Sequence, residues 1–190
     1  MRHILLSHIT LAALAGSASA QTELNIYITQ PTPGHGVIYA QLDNPLAPIR
    51  AIIGDDLDFT MIGAGISNFS YNPAFDSTFF GPATVTVSPN QIDFHGSNTL
   101  PPLNNPGGPD SSNPLHIATF DATLIWDFQV NGQLKGEYVT FPGGDYFYQN
   151  ANGTPGTVPY YVHIDPSWVP SPGAACLLGF SGIAAMRRRR

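Results

Sequence analysis

The sequence predicts a mainly β protein: a single antiparallel β-sandwich of jelly-roll or Ig-like topology, with an apolar helix at each end of the chain. Three observations carry this expectation. Apolar residues alternate with polar ones in short runs of period two, the 19 glycines and 18 prolines punctuate those runs, and no stretch of the body keeps a helical period.

The runs can be followed in order. In "LNIYIT" Leu24, Ile26 and Ile28 share one strand face, with Asn25, Tyr27 and Thr29 on the other. "GVIYAQL", "IRAII", "LDFTMIG" and "ISNFSY" follow as strand candidates. In "ATVTVS" Val85 and Val87 alternate with Thr84, Thr86 and Ser88. "LHIATFDATLIWDFQV" reads as one further run, and "QLKGEYVTF", "DYFYQ" and "TVPYYVHI" complete the set. Within "LIWDFQVNGQLKGEYV", Asn131-Gly132 is a two-residue hairpin signal, because a type I′ turn needs positive φ at both central positions. That register sets Val130 opposite Gln133, Phe128 opposite Lys135 and Leu124 opposite Val139. Residues 100–114, with five prolines and two glycines, read as a loop.

The two ends speak of address. Residues 1–20 begin with Arg2, continue through a mostly apolar stretch at 4–14 and finish with Ala18 and Ala20 in an A-x-A arrangement before Gln21. This is the pattern of a secretory signal peptide cut by signal peptidase after Ala20, and the apolar run is shorter than the ~20 residues a spanning helix needs. At the other end, Val169-Pro170-Ser171-Pro172 precedes an uncharged, mostly small and apolar stretch at 173–186, and Arg187, Arg188, Arg189 and Arg190 follow. Ser171 suits a helix N-cap and Pro172 the first helical position. Fourteen residues give about 21 Å of helix, less than the ~30 Å hydrocarbon core. Four guanidiniums do not finish inside a fold, but they suit the cytoplasmic face of a membrane, where they can snorkel and lengthen the span.

The sortase motif L-P-x-T-G is absent, and a GPI signal carries no basic cap. Residues 169–190 resemble the PEP-CTERM sorting domain, in which a V-P-E-P-like motif precedes a short apolar helix and an arginine cluster; Ser171 stands where that family usually has Glu. The small-residue tail with its run of arginines is similar to planctomycete members. The resemblance implies an exported protein held by its tail in the inner membrane and recognised by an exosortase. Processing would then deliver it to the cell envelope or an exopolysaccharide matrix. A permanent single-span anchor is the alternative. The chain thus divides into a signal peptide (1–20), a β-rich exported domain (21–168) and a sorting tail (169–190).

Between residues 21 and 169 only Arg50 and Lys135 are basic, against thirteen acids, a balance of −11. Such a body does not bind nucleic acid or anionic lipid by charge. The single cysteine, Cys176, lies in the apolar tail, so the body contains no disulfide and rests on packing alone.

Candidate chemistry is sparse. "GDDLDF" places Asp56 and Asp58 on one strand face with Asp55 at a turn, and such carboxylates offer hard oxygens to Ca²⁺; the Gly and Glu spacing of an EF-hand is absent. No other cofactor is expected. Asp93 and His95, like His163 and Asp165, are spaced i, i+2 and share a strand face, as a metal pair or a His–carboxylate hydrogen bond requires. His95 also stands beside Ser97, but no nucleophile elbow is present, and no catalytic residue is assigned. Eight of the 21 aromatic residues crowd into positions 138–168. Of these, Tyr146, Tyr148 and Tyr161 are candidates for stacking on sugar rings, while core and cross-strand packing accounts for the same residues. The expectation is a non-enzymatic envelope or matrix protein. Its alternatives are a polysaccharide-binding module and a secreted hydrolase, the latter needing Asp93, His95, His163 and Asp165 to converge on a pocket.

Overall fold

The computed structural model describes residues 22–45, 49–77, 79–98, 113–140, 143–150 and 160–168. The signal segment (1–20) and the sorting tail (169–190, with its motif, apolar stretch, Cys176 and arginines) lie outside them. So does most of the 100–114 segment. Among the described residues no helix is long and apolar enough to cross a membrane.

The body is mainly β, in two five-stranded sheets. The first has the order β10 (Tyr161–Ile164), β1 (Glu23–Thr32), β2 (His35–Asp43), β7 (Leu115–Asp121), β4 (Ser67–Tyr71). The second has the order β5 (Thr84–Ser88), β6 (Gln91–Gly96), β3 (Ile49–Ala64), β8 (Leu124–Thr140), β9 (Gly143–Asn150). All the described pairings are antiparallel except one, where β10 adds to β1 in parallel, Asn25 opposite Tyr161 and Ile28 opposite Ile164. Two 3-10 turns, Pro73–Phe75 and Pro166–Trp168, punctuate the strands.

The period-two pattern becomes burial. Leu24, Ile26 and Ile28 of β1 and Ile38, Ala40 and Leu42 of β2 are buried, and they belong to the same hydrophobic cluster as Leu57, Phe59 and Met61 of β3 and Ile92 and Phe94 of β6. The two sheets therefore share one core. Phe59 stacks on Phe94 at 4.9 Å and on Phe128 at 5.0 Å, and Phe75 meets Phe94 edge-on at 5.5 Å. Ring pairs of this kind add to area burial, in a body that has no disulfide. Trp168 is fully buried and stacks on Phe120 at 5.5 Å, so the last described element is bound into the core. Tyr160 is buried as well, which takes these two aromatics out of any surface platform.

Several sequence expectations are corrected here. "IRAII" and "LDFTMIG" are one strand, β3, which pairs with β6 and β8 along its two edges. "LHIATFDATLIWDFQV" is two strands, β7 and β8, in different sheets, with the break at Ala122-Thr123. Asn131-Gly132 is not a turn. It lies inside β8, where Val130 faces Phe59, Phe128 faces Met61 and Leu124 faces Ala64. Neither residue has positive φ; the left-handed residue is Asp56, at φ 59, on the neighbouring strand. Between the pairs Asp55–Gln133 and Asp58–Asn131, two residues of β3 stand against Gly132 alone, a β-bulge. A Cβ on Gly132 would sit 2.6 Å from the Asp56 carbonyl oxygen and 2.8 Å from the Asp58 nitrogen. The glycine serves close backbone approach, and the true hairpin glycine of the first sheet is Gly34, at φ 82, joining β1 to β2 after Pro33.

Gly132→Ala is accordingly expected to destabilise the fold by about 1–3 kcal/mol through overpacking against the bulge. Urea unfolding measures it, and a change within about 0.5 kcal/mol, as at unconstrained surface positions, contradicts the close approach.

Candidate functional site

Among the described residues, the outward face of the second sheet gathers carboxylates, an imidazole, amides and hydroxyls. Register sets Asp58 of β3 opposite His95 of β6, and Thr60 opposite Asp93. On the other edge of β3, Asp58 faces Asn131 and Thr60 faces Gln129. The intervening Phe59 and Phe94 point into the core. The result is an open groove of about 420 Å³ across β5, β6, β3 and β8, lined on its polar side by these six residues and by Thr84 and Thr86.

The side chains in it are tied to one another. Thr60 donates to Asp93 Oδ1 at 2.8 Å, and Gln91 Nε2 donates to both Asp93 oxygens at 2.9 and 2.8 Å. Nδ1 of His95 contacts Asp58 Oδ1 and lies 3.7 Å from Asp56 Oδ1. Asp93 and His95 thus share a face, as their spacing requires, yet each takes its partner from elsewhere. The acidic trio is also divided. Asp55 lies within β3 rather than at a turn and forms an ion pair with Lys135, while Asp56 and Asp58 turn to His95. The ligand-type groups that gather are Asp56, Asp58 and His95, and Asp55 is not among them.

His163 and Asp165 behave likewise. Asp165 Oδ1 accepts from the backbone N–H (2.9 Å) and hydroxyl (2.7 Å) of Ser167, and these bonds hold its carboxyl below the usual range. His163 Nε2 donates instead to Asn25 Oδ1 at 2.9 Å and its ring stacks on Tyr27 at 4.7 Å. Tyr27 stacks in turn on Tyr39 at 5.3 Å, so three rings from β10, β1 and β2 form a column on the outer face of the first sheet. Asp43 anchors it, accepting from Tyr27 (2.8 Å), Asn25 Nδ2 (2.7 Å) and Gln41 Nε2 (2.7 Å). Burial, then the Asp43 hydrogen bond and charge, push the Tyr27 phenol up to about 12. A second His–carboxylate pair, His35 Nδ1 with Asp121 Oδ1 at 2.9 Å, joins strands far apart in sequence. The Asn68 and then the His35 hydrogen bonds lower the Asp121 carboxyl.

Of the three tyrosines named for sugar stacking, Tyr161 is half exposed on β10, beside Asn25, at the edge of the first sheet. Tyr146 and Tyr148 lie on β9, at the edge of the second sheet, in register with Glu137 and Lys135. The three are on edge strands of different sheets. The Tyr27–Tyr39–His163 column and the Asp58–His95 contact are not legible in the sequence, because both are cross-strand. The alternation of Asp58, Thr60, Asp93 and His95 with apolar neighbours was the only available signal. Comparison with models of known protein families yields no match, and neither does a search of curated protein sequences.

Tyr27→Phe removes the bond to Asp43 and is expected to cost about 0.5–1.5 kcal/mol at neutral pH. Because the folded phenol titrates above its unfolded value near 10, its contribution is complete below pH 10 and is lost as pH rises toward 12. Denaturation midpoints of the wild type should therefore fall more steeply than those of the variant across that window, and parallel curves would contradict the assignment.

Proposed function

We propose that the chain is an exported, non-enzymatic protein of the cell envelope or extracellular matrix. In this reading a β-sandwich body, jelly-roll or Ig-like in its connections, is sorted by a C-terminal tail that is processed or anchored at the inner membrane. The observation that carries it is the extent of the fold. The first strand begins at Glu23, just past the expected cleavage after Ala20, and the last described element closes with the buried Trp168, one residue before the Val169-Pro170-Ser171-Pro172 motif. The described core, from Leu24 to Trp168, falls within the span 21–168 expected for the body. The likeness of the tail to PEP-CTERM domains supplies exosortase as the processing partner. The dispersal of Asp93, His95, His163 and Asp165 over two sheets supports a non-catalytic body, since each is engaged by a different neighbour.

Intact-mass measurement on membrane and secreted fractions of the native host tests the sorting. The secreted form is expected to start at Gln21 and to lack the residues beyond Pro172. A membrane-bound form that keeps Arg187 to Arg190, with nothing shortened in the medium, makes the tail a permanent anchor instead.

The polar groove favours a second reading, in which the body binds a polysaccharide. Hydroxyls, carboxylates and amides face an open surface there, and Lys135, paired to Asp55, is not among its lining. A neutral, hydroxyl-rich polymer suits such a lining better than an anionic one. Affinity electrophoresis through gels cast with neutral polysaccharides is expected to retard the protein, with the retardation lost when Gln129 and Asn131 are both changed to Ala. Equal mobility in every gel, or equal retardation of that variant, rules the groove out as a sugar site.

A further inference from the structure

The end of the groove where β3 bulges brings together three side chains of ligand type. One donor atom each from Asp56, Asp58 and His95 lies within 4.8 Å of the others. The strand ladder alone accounts for the Asp58–His95 pair, which are register partners. Asp56 joins them through the bulge, where it adopts φ 59 opposite Gly132. The donors therefore come from two neighbouring strands whose spacing is fixed by backbone hydrogen bonds, a rigid support of the kind a metal site requires.

Charge and access point the same way. Lys135 neutralises Asp55, but among the described residues the ion pairs of Asp56 and Asp58 run to His95 alone. With a neutral imidazole, the form that ligates metals, the cluster carries two uncompensated carboxylates side by side. The groove opens directly onto Asp58 and His95, leaving room on that side for water or a ligand oxygen to complete a coordination sphere.

The donor set selects the ion. Ca²⁺ takes six to eight oxygens, and Mg²⁺ keeps its waters around one or two carboxylates. One imidazole nitrogen with two carboxylates suits a first-row transition ion, and three protein ligands with an open position are the pattern of a zinc site that retains an exchangeable water. We propose that Asp56, Asp58 and His95 bind one divalent transition cation of the zinc class, with its remaining coordination positions open to the groove. The site stands whether or not the sorting and polysaccharide readings hold.

The test is isothermal titration of Zn²⁺ into the untagged full chain, kept in mild detergent and first stripped by chelation. One equivalent is expected to bind, and millimolar Ca²⁺ is expected to leave the binding unchanged. His95→Gln and Asp58→Asn should each weaken it by at least about tenfold, since even outer-shell changes cost that much at metal sites. His35→Gln, at the other His–carboxylate pair, should leave it intact. His95 is more than half exposed, so its replacement does not disturb the core. A readout independent of variants comes from the wild type by nuclear magnetic resonance, where Zn²⁺ should shift the ring signals of His95 and leave those of His35 in place. No uptake of Zn²⁺, displacement by Ca²⁺, undiminished affinity in His95→Gln or a shift at His35 in place of His95 would each overturn the proposal.

Discussion

The arrangement depends on β3, a sixteen-residue strand hydrogen-bonded along both edges. A strand of that length must twist while staying in register with two neighbours, and it does so through three register shifts against β8. Its inward side chains Leu57, Phe59 and Met61 lie at the centre of the shared core. Its outward ones, Asp58 and Thr60, line the groove. Core and surface site are thus two sides of one backbone path. The bulge at Asp56 is where they meet, since the same irregularity that relieves the strand also turns a carboxylate toward His95.

Around that strand the protein compensates for the absence of covalent cross-links with rings. Phe59, Phe94, Phe128 and Phe75 form one connected set, with Phe69 and Tyr71 of the opposite sheet reaching Phe94. Phe120 and Trp168 form another. Buried polar groups are few, and Asn25 shows how one is accommodated. Its amide donates to Asp43 and accepts from His163, so a side chain only 2% exposed keeps both functions satisfied. Asn113 does the same for Leu42, pairing with its N–H at 2.8 Å and its C=O at 3.0 Å as a strand residue would.

Much of the fold was legible in the sequence because alternation is a local property. Leu24, Ile26 and Ile28 could be assigned to one face without knowing what lay opposite. The failures arose where a local signal served a non-local purpose. Asn131-Gly132 has the composition of a turn, but the glycine is there to admit the backbone of Asp56. The break between β7 and β8 was hidden because Phe120 and Ile125 are both buried, so the apolar run continues while the chain changes sheet. For the site, the i, i+2 rule correctly placed Asp93 and His95 on one face, yet hydrogen bonding follows the cross-strand neighbour, and a single sequence does not reveal which strand that is. The terminal segments were read from composition and order alone, and they lie outside the described residues.

The parallel docking of β10 on β1 has a consequence for the order of events in folding. His163 and Asn25, joined across that pair, are 138 positions apart in the chain. Hairpins such as β1–β2 and β5–β6 can form as soon as their residues exist, but this seam closes only when nearly the whole body is present, after the costliest loop closure in the described fold. Until then β1 offers an unpaired edge, and Trp168, a few residues beyond β10, has not reached Phe120. The final stretch of the described body thus acts as a clasp: the first sheet closes only when the last described strand returns to the first.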